Sequence, residues 1–395
     1  SNLYPFYEIL PVKSNSGNWL VNGGKTNTAD IPSLVSTLLT WERVRSFNVG
    51  FDFGAFSNRL TGSFDYFVRK TVDMVGPAPQ LPLVLGIAPA IVNNADMKSY
   101  GFEIELSWRD RIGEVDYGVK FNLADAQQKV VKYPNTTNAF SDWYAGKMSG
   151  EIWGYTSLGI AKTDEEMKEH LASLPNGGQN QLGNKWGAGD IMYADINGDG
   201  KVDGGKGTLA DPGDQRIIGN STPRYNFGLV LDASYKGFDV SIFFQGVGKR
   251  DYAPIVGTNG AVFWGAVNNI WQSMAMEEHF DYFRPEGHPM GANLNGYYPR
   301  PDFTSNKNHQ VQTRYLQDAS YIRLKNLQIG YTLPKQWINK LHINRCRVYV
   351  SGDNLWTGTS LASMFDPETL AAGDWGSGKT YPLSKVISFG LNVNF

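Results

Sequence analysis

The sequence predicts an all-β protein, a transmembrane antiparallel up-and-down β-barrel, and three observations predict it. Apolar and polar residues alternate with period two in nine separate stretches, the signature of strands with one apolar face. Connections between successive stretches are alternately very short and very long, as in barrels of the outer membrane. Composition agrees: among 395 residues there are 11 Trp, 20 Tyr and 21 Phe, with 44 Gly and 19 Pro, a mixture suited to strands joined by irregular loops. The charge balance, 36 Lys+Arg against 38 Asp+Glu for a net −2, excludes a strongly basic nucleic-acid binder. Mean hydropathy is −0.34, and no apolar run approaches the ~20 residues of a membrane helix.

The clearest strand is GFEIELSWRD, in which Phe102, Ile104, Leu106 and Trp108 share one face and Glu103, Glu105, Ser107 and Arg109 the other. EVDYGVKFNL repeats the pattern, with Val115, Tyr117, Val119, Phe121 and Leu123 opposed by Asp116, Gly118, Lys120 and Asn122. Alternation also marks Phe47–Phe53, Leu60–Val68, Tyr225–Tyr235, Phe238–Phe244 and Ile387–Phe395, and, less regularly, Tyr321–Tyr331 and Cys346–Val350. Between Leu324 and Leu327 the apolar parity slips, which predicts a β-bulge.

Short links fall at 55–58, 109–113, the Lys236-Gly237 turn and 333–342; long ones cover about 70–98, 125–222, 249–315 and 352–384. With every long loop at one end, the reading is short periplasmic turns and long extracellular loops. Nine strands counted back from a periplasmic C-terminus leave the start of the first strand outside, whereas an even-stranded barrel has both ends inside. Residues 1–40 are therefore expected to end an extracellular loop, and 41–395 to be the C-terminal strands of a larger barrel. The opening SNLYPFYEIL has no initiator Met and no signal-peptide pattern, which fits processing or a longer parent chain.

Several blocks, in this order, resemble the C-terminal part of the SusC family of TonB-dependent outer-membrane transporters from Bacteroidetes: LTWERVRSFNVGFDFGAFSNRLTGSFDYFVRKTVDMV, KSYGFEIELSWRD, YADINGDGKVD, GDQRIIGNSTPRYNFGLVLDASYKGFDVSIFFQGV, YIRLKNLQIGYTLP, RVYVSGDNLW and the terminal strand ending in Phe395. The resemblance implies the C-terminal part of a 22-stranded barrel of the plugged class. It implies import of oligosaccharides or peptides, a SusD-like surface lipoprotein as lid, and TonB as the source of energy. The family's plug and TonB box have no counterpart in this sequence.

DINGDGKVD sets Asp195, Asn197 and Asp199 at positions 1, 3 and 5 of an EF-hand-like loop, with Gly200 at the sharp turn. The backbone carbonyl of Lys201 and the side chain of Asp203 would follow as ligands of a structural Ca2+. Position 12 is Lys206 instead of Glu, so the resemblance to the family supplies Asp214 of GDQRIIG as the remaining ligand. GDWGSGKT at 373–380 satisfies a phosphate-loop pattern, but Pro382 and a strand follow where a helix is required, and it reads as a surface loop.

No catalytic site is expected. The five histidines form no HExxH, GxSxG is absent, and the single Cys346 permits no internal disulfide and no CxxC site. Glu103 and Glu105 project together from the lumen-facing parity, where polar residues are routine. Two helices are expected inside loops: TDEEMKEHLASL, with Thr163 as N-cap and Glu166 completing a capping box, and AVNNIWQSMAMEEHF. For substrate contact the candidates are the loop aromatics Trp264, Trp271, Trp356 and Trp375, because sugar rings and peptides pack on such faces. The terminal strand, with Ile387, Phe389, Leu391, Val393 and Phe395 outward, resembles a barrel-assembly signal closed by Phe395. Two competing readings share part of the pattern. One is a TonB-dependent receptor for a metal chelate or vitamin without a lid; the other is a soluble calcium-braced glycan-binding β-protein.

Overall fold

The computed structural model describes residues 7–32, 34–77, 84, 89–254, 261–264, 276–302, 307–339, 342–370 and 380–395. Nine strands dominate: β1 Arg43–Ala55, β2 Leu60–Gly76, β3 Val92–Ile112, β4 Val115–Lys132, β5 Arg224–Tyr235, β6 Phe238–Lys249, β7 Tyr321–Thr332, β8 Arg345–Thr359 and β9 Val386–Asn394. They lie in one sheet in strict chain order, with β1 and β9 at its edges. From β4 to β9 every neighbouring pair is antiparallel. This is an up-and-down arrangement, and each strand coincides with one of the nine alternating stretches.

Register explains why the alternation is so strict. Phe121 pairs with Leu229, Leu229 with Phe244, Phe244 with Leu324 and Leu324 with Trp356. The next row runs Val119, Leu231, Ile242, Leu327, Gly352, Ile387, and the one after it Tyr117, Ala233, Val240, Ile329, Val350, Phe389. One continuous apolar face results, because a one-residue slip in any strand would turn its whole apolar set over. Ile387, Phe389 and Leu391 are 68, 84 and 61% exposed, as residues of a barrel wall that face lipid are. The opposite face is polar, with the row Gly118, Asp232, Ser241, Gln328, Ser351, Ser388. Across it Arg109 meets Asp232 at 3.3 Å, and Arg347 pairs with Asp239 while donating to Gln328 at 3.0 Å.

The expected bulge is present. On β7 the register shifts between Leu324 and Asn326 against both neighbours, leaving Lys325 without a ladder partner. The extra residue puts Leu324 and Leu327 on the same face despite their opposite parity. On β8 two residues, Asn354 and Leu355, fall between the paired Asp353 and Trp356, and Asn354 has φ 53°, a conformation that Asn tolerates better than most residues.

The short connections are built from left-handed residues. Lys236 and Gly237, at φ 45° and 90°, form a two-residue hairpin with both central residues at positive φ, the turn whose twist matches that of the strands. A Cβ at Gly237 would lie 2.9 Å from the Thr332 carbonyl oxygen, which fixes glycine there. Phe56, Ser57 and Asn58 all have positive φ, and Arg59 holds the bend by donating Nε to the Phe56 carbonyl at 3.0 Å. The link from β7 to β8 carries a one-turn helix, Lys335–Ile338.

Several strands extend beyond the alternating stretches, so three long connections, 77–91, 133–223 and 360–385, are shorter than the pattern suggests, while the fourth, 250–320, is slightly longer because β7 begins only at Tyr321. The reason is physical: alternation marks only the part of a strand that has an apolar face. Pairing continues past it; β4 still runs through Asp125, Gln127, Gln128 and Lys129.

The chain folds as two compact units. The first gathers 1–48, 67–100 and 128–148, and is tied internally by Arg43–Asp73 at 2.5 Å, Thr40 N to Asn93 Oδ1 at 2.8 Å, and Lys147 Nζ donating to the Phe140 and Asp142 carbonyls at 2.8 and 2.7 Å. The second gathers 49–66, 101–127 and 149–395 and contains the main core. That core lies among the long connections, with Tyr155, Ile191, Tyr193, Trp264, Tyr315 and Phe365 among its buried members.

Placing a cation on the apolar face tests this wall. Introduced into the parent protein, Ile242→Lys is expected to cost about 2–4 kcal/mol at mid-bilayer, while Ser241→Lys, facing Asp232 across the pair, is expected to be tolerated. The urea midpoint of heat-modifiable, membrane-assembled protein measures the difference. Equal midpoints for the two variants would disprove the assignment of faces.

Candidate functional site

Three long connections meet in the second unit and fold on one another. Their scaffold is a set of short antiparallel pairs: Glu151–Gly154 with Arg216–Asn220, Ser157–Ile160 with Ile191–Tyr193, and Asp251–Tyr252 with Gln317–Asp318. A helix, Asp164–Ala172, starts at Thr163, whose hydroxyl accepts from Glu166 N at 3.1 Å. The expected capping box is modified, since the Glu166 carboxylate takes the Lys162 N–H at 2.6 Å instead of that of the cap residue. Of the second expected helix, residues 266–275 lie outside the described residues, and 277–280 form a 3-10 turn.

An ionic knot joins two of these connections. The Asp190 carboxylate is fully buried and receives Lys307 Nζ at 2.8 Å, Arg300 at 2.7 and 3.0 Å, Asn308 Nδ2 at 2.9 Å and the Gly187 N–H at 2.9 Å. A carboxylate taken this far from water stays charged only with such a set of donors. Arg250 adds a second tie, donating to the Ser221 carbonyl at 3.2 Å and to the Leu370 carbonyl at 3.1 Å. The last connection is gripped from β7: Arg323 meets Asp366 at 2.7 Å and Glu368 at 2.8 Å, and the bulged Lys325 reaches Glu368 at 2.9 Å.

In the 195–214 turn, the Asp195 carboxylate accepts the Gly198 and Gly200 N–H groups at 2.6 and 2.8 Å. Asn197 Oδ1 accepts from Asp199 N at 3.0 Å, and Asp199 Oδ1 from Lys201 N at 3.2 Å. Asp214, buried, accepts from Ile196 N, Asn197 N and Asp203 N at 2.7, 3.3 and 2.8 Å, so it braces the turn through the backbone. Burial pushes its carboxyl above the usual range, against those three bonds. Lys201 sends its ammonium to Asp203 and stands 3.8 Å from Asp199; its hydrogen bond holds the Asp203 carboxyl low. Among the described residues no three Asp, Glu, His or Cys side chains are gathered around one point as a metal would require. In this arrangement the cation among the carboxylates is Lys201.

The aromatic candidates are not where sequence position suggests. Trp264 is 2% exposed, its indole stacked on His309 at 4.3 Å and edge-on to Tyr315 at 4.7 Å, so it is a core residue of the loop cluster. Trp356 belongs to β8, on the apolar face beside Leu324, and not to a loop. Trp271, Trp375 and most of the GDWGSGKT segment lie outside the described residues. Phe395 follows β9 and is 84% exposed. Residues that sequence reasoning overlooked are Asp190, Lys307 and His309: each owes its importance to residues distant in the chain, and no local signal marks such pairs.

A sheet with one apolar and one polar face, joined by short turns at one end and by large folded connections at the other, is the wall of an outer-membrane β-barrel. The family model described as TonB dependent receptor-like, beta-barrel matches residues 2–355, and the chain belongs to that family, whose place is the outer membrane. It is 28% identical over 419 residues to TonB-dependent receptor P3 of Formosa agariphila, across 98% of this chain and 38% of that protein. With TonB-dependent receptor SusC of Bacteroides thetaiotaomicron identity is 21% over 380 residues, across 92% of this chain and 33% of that protein. The structure of the RagAB peptide transporter matches with a TM-score of 0.69 at 22% identity, over 99% of this chain and 39% of that one, a likeness of fold. The chain thus spans less than two-fifths of the length of these curated relatives.

His309 gives the loop cluster a pH dependence. It is 2% exposed, and burial lowers its imidazole from 6.5 to about 4, outweighing the opposing charge of Asp302. Between those values the unfolded state binds more protons than the folded one. The contribution is therefore complete above pH 6.5 and is lost as pH falls toward 4, by up to about 3 kcal/mol. Melting of the cluster, followed by tryptophan fluorescence from pH 7 to 4, is expected to show this loss and His309→Phe to remove most of it. An identical slope in the variant would count against His309 as its source.

Proposed function

We propose that the protein to which this chain belongs imports oligosaccharides or peptides across the outer membrane, energised by TonB, with a SusD-like surface lipoprotein seated on the long connections. The observation that carries this reading is the folding of those connections into a braced cluster with its own aromatic and ionic core at one end of the sheet. Short turns would suffice to close a barrel, whereas a braced rim offers a partner or a large solute a fixed surface. The identity shared with SusC and the fold shared with the RagAB peptide transporter support the same reading. In it the long connections face the cell exterior, β9 and Phe395 act as the assembly signal, and the chain performs no covalent chemistry.

Native parent protein, extracted from outer membranes in mild detergent and captured by a tag, is expected to bring down a surface lipoprotein identifiable by mass spectrometry. Its deletion is expected to abolish growth on one class of oligosaccharide or peptide. Capture without any lipoprotein, together with growth impaired only when a chelated metal or vitamin is limiting, would replace this reading with that of a lidless receptor.

For the 195–214 turn we propose a structural Ca2+, supported by the spacing of Asp195, Asn197, Asp199 and Asp203; the ion has to displace the ammonium of Lys201. Millimolar calcium is expected to raise the melting temperature of the parent protein by a few degrees, and Asp195→Asn to abolish the rise. A melting temperature indifferent to calcium would leave Lys201 as the only cation of the turn.

A further inference from the structure

The loop cluster holds a cavity of about 600 Å3 that takes no part in the Asp190 knot or the 195–214 turn. One wall is Tyr298, only 5% exposed and held edge-on by Phe263 and Trp264. Its hydroxyl has no hydrogen-bond partner among the described residues, and such a group in a largely buried ring calls for a ligand atom or water. Beside it Tyr297 accepts from Gln317 Nε2 at 3.3 Å.

The charge around the cavity is unbalanced. Among the described residues, Glu278, Asp281 and Asp318 line it against the guanidinium of Arg314. Arg314 is turned to the backbone, donating Nε to the Tyr297 carbonyl at 3.1 Å and Nη2 to the Gly296 carbonyl at 2.9 Å. The carboxylates are half used: Glu278 Oε1 accepts the Ser363 hydroxyl, Asp281 Oδ1 accepts Asn293 Nδ2 at 2.8 Å, and Asp318 Oδ1 accepts Ser320 N at 2.8 Å. A neutral solute entering here would displace water from the carboxylates without compensating their charge. A cation would compensate them.

Accepting the importer reading, we propose that this cavity is a subsite for a protonated amine, the N-terminus or lysine side chain of a peptide ligand. Tyr298 supplies the hydroxyl acceptor at the wall, and Asp281, Asp318 and Glu278 supply the countercharge at the mouth.

The test is calorimetric titration of the detergent-purified parent transporter, together with any lipoprotein it retains, using trilysine, triglutamate and maltohexaose as probes. Trilysine is expected to bind most tightly at low salt and to weaken as salt is raised. Asp318→Asn, at an exposed position where the amide oxygen can still accept from Ser320, is expected to weaken it about tenfold. Tyr298→Phe, which keeps the ring, is expected to weaken it several-fold. Trilysine binding no tighter than triglutamate, or unchanged in both variants, overturns the proposal. Tight binding of maltohexaose or triglutamate that neither variant alters overturns the subsite while leaving the importer reading intact. If none of the three binds and deleting the protein leaves growth on peptides and glycans unaffected, both readings fall.

Discussion

Within a bilayer a backbone N–H or C=O that is not paired inside the protein costs several kcal/mol, and the rest of this structure depends on meeting that demand with side chains on the correct faces. A sheet satisfies the backbone, but only if every strand keeps its apolar residues toward lipid. The rows from Tyr117 to Phe389 and from Val119 to Ile387 show the demand met across six strands. Where the parity of β7 would break the row, Lys325 is extruded from the ladder and the apolar face is kept.

The connections answer to a different solvent. Above the apolar belt there is water on all sides, so a loop of seventy or more residues needs burial of its own to hold a shape. Here that burial comes from aromatic rings contributed by three connections, with the Asp190 knot joining two of them. Charged groups replace apolar area where the loops are too polar to supply it. His309 beside Trp264 and Asp190 between Lys307 and Arg300 are opposite solutions to burying a titratable group: the imidazole gives up its charge, and the carboxylate is surrounded by donors.

All nine strands were legible in the sequence because a strand between lipid and a polar interior is forced into period two. The bulge was legible for the same reason, as a visible slip between Leu324 and Leu327. Strand ends were not, since a strand such as β4 continues through Asp125 to Lys129 after its apolar face has ended. In the loops the same logic fails, because burial there follows no period. Trp264 reads as an exposed contact and is a core residue; Trp356 reads as a loop residue and lies on the belt. The 195–214 turn was found by its glycines and carboxylates, yet its spacing does not reveal that Lys201 reaches back among them. The Thr163 cap was legible because caps are local, and the Asp190–Lys307 pair was not because it is not local.

The bulge at Lys325 also has a mechanical meaning. Extruding that residue sends Lys325 and Asn326 consecutively toward the polar side, so Arg323 and Lys325 together clasp Glu368, while Arg323 holds Asp366 as well. The final long connection is therefore clamped to a point on β7 where one backbone unit is free of the ladder. A pull on that connection reaches the wall at two neighbouring places, the laddered Arg323 and the free Lys325, so the load is shared between a paired and an unpaired backbone unit.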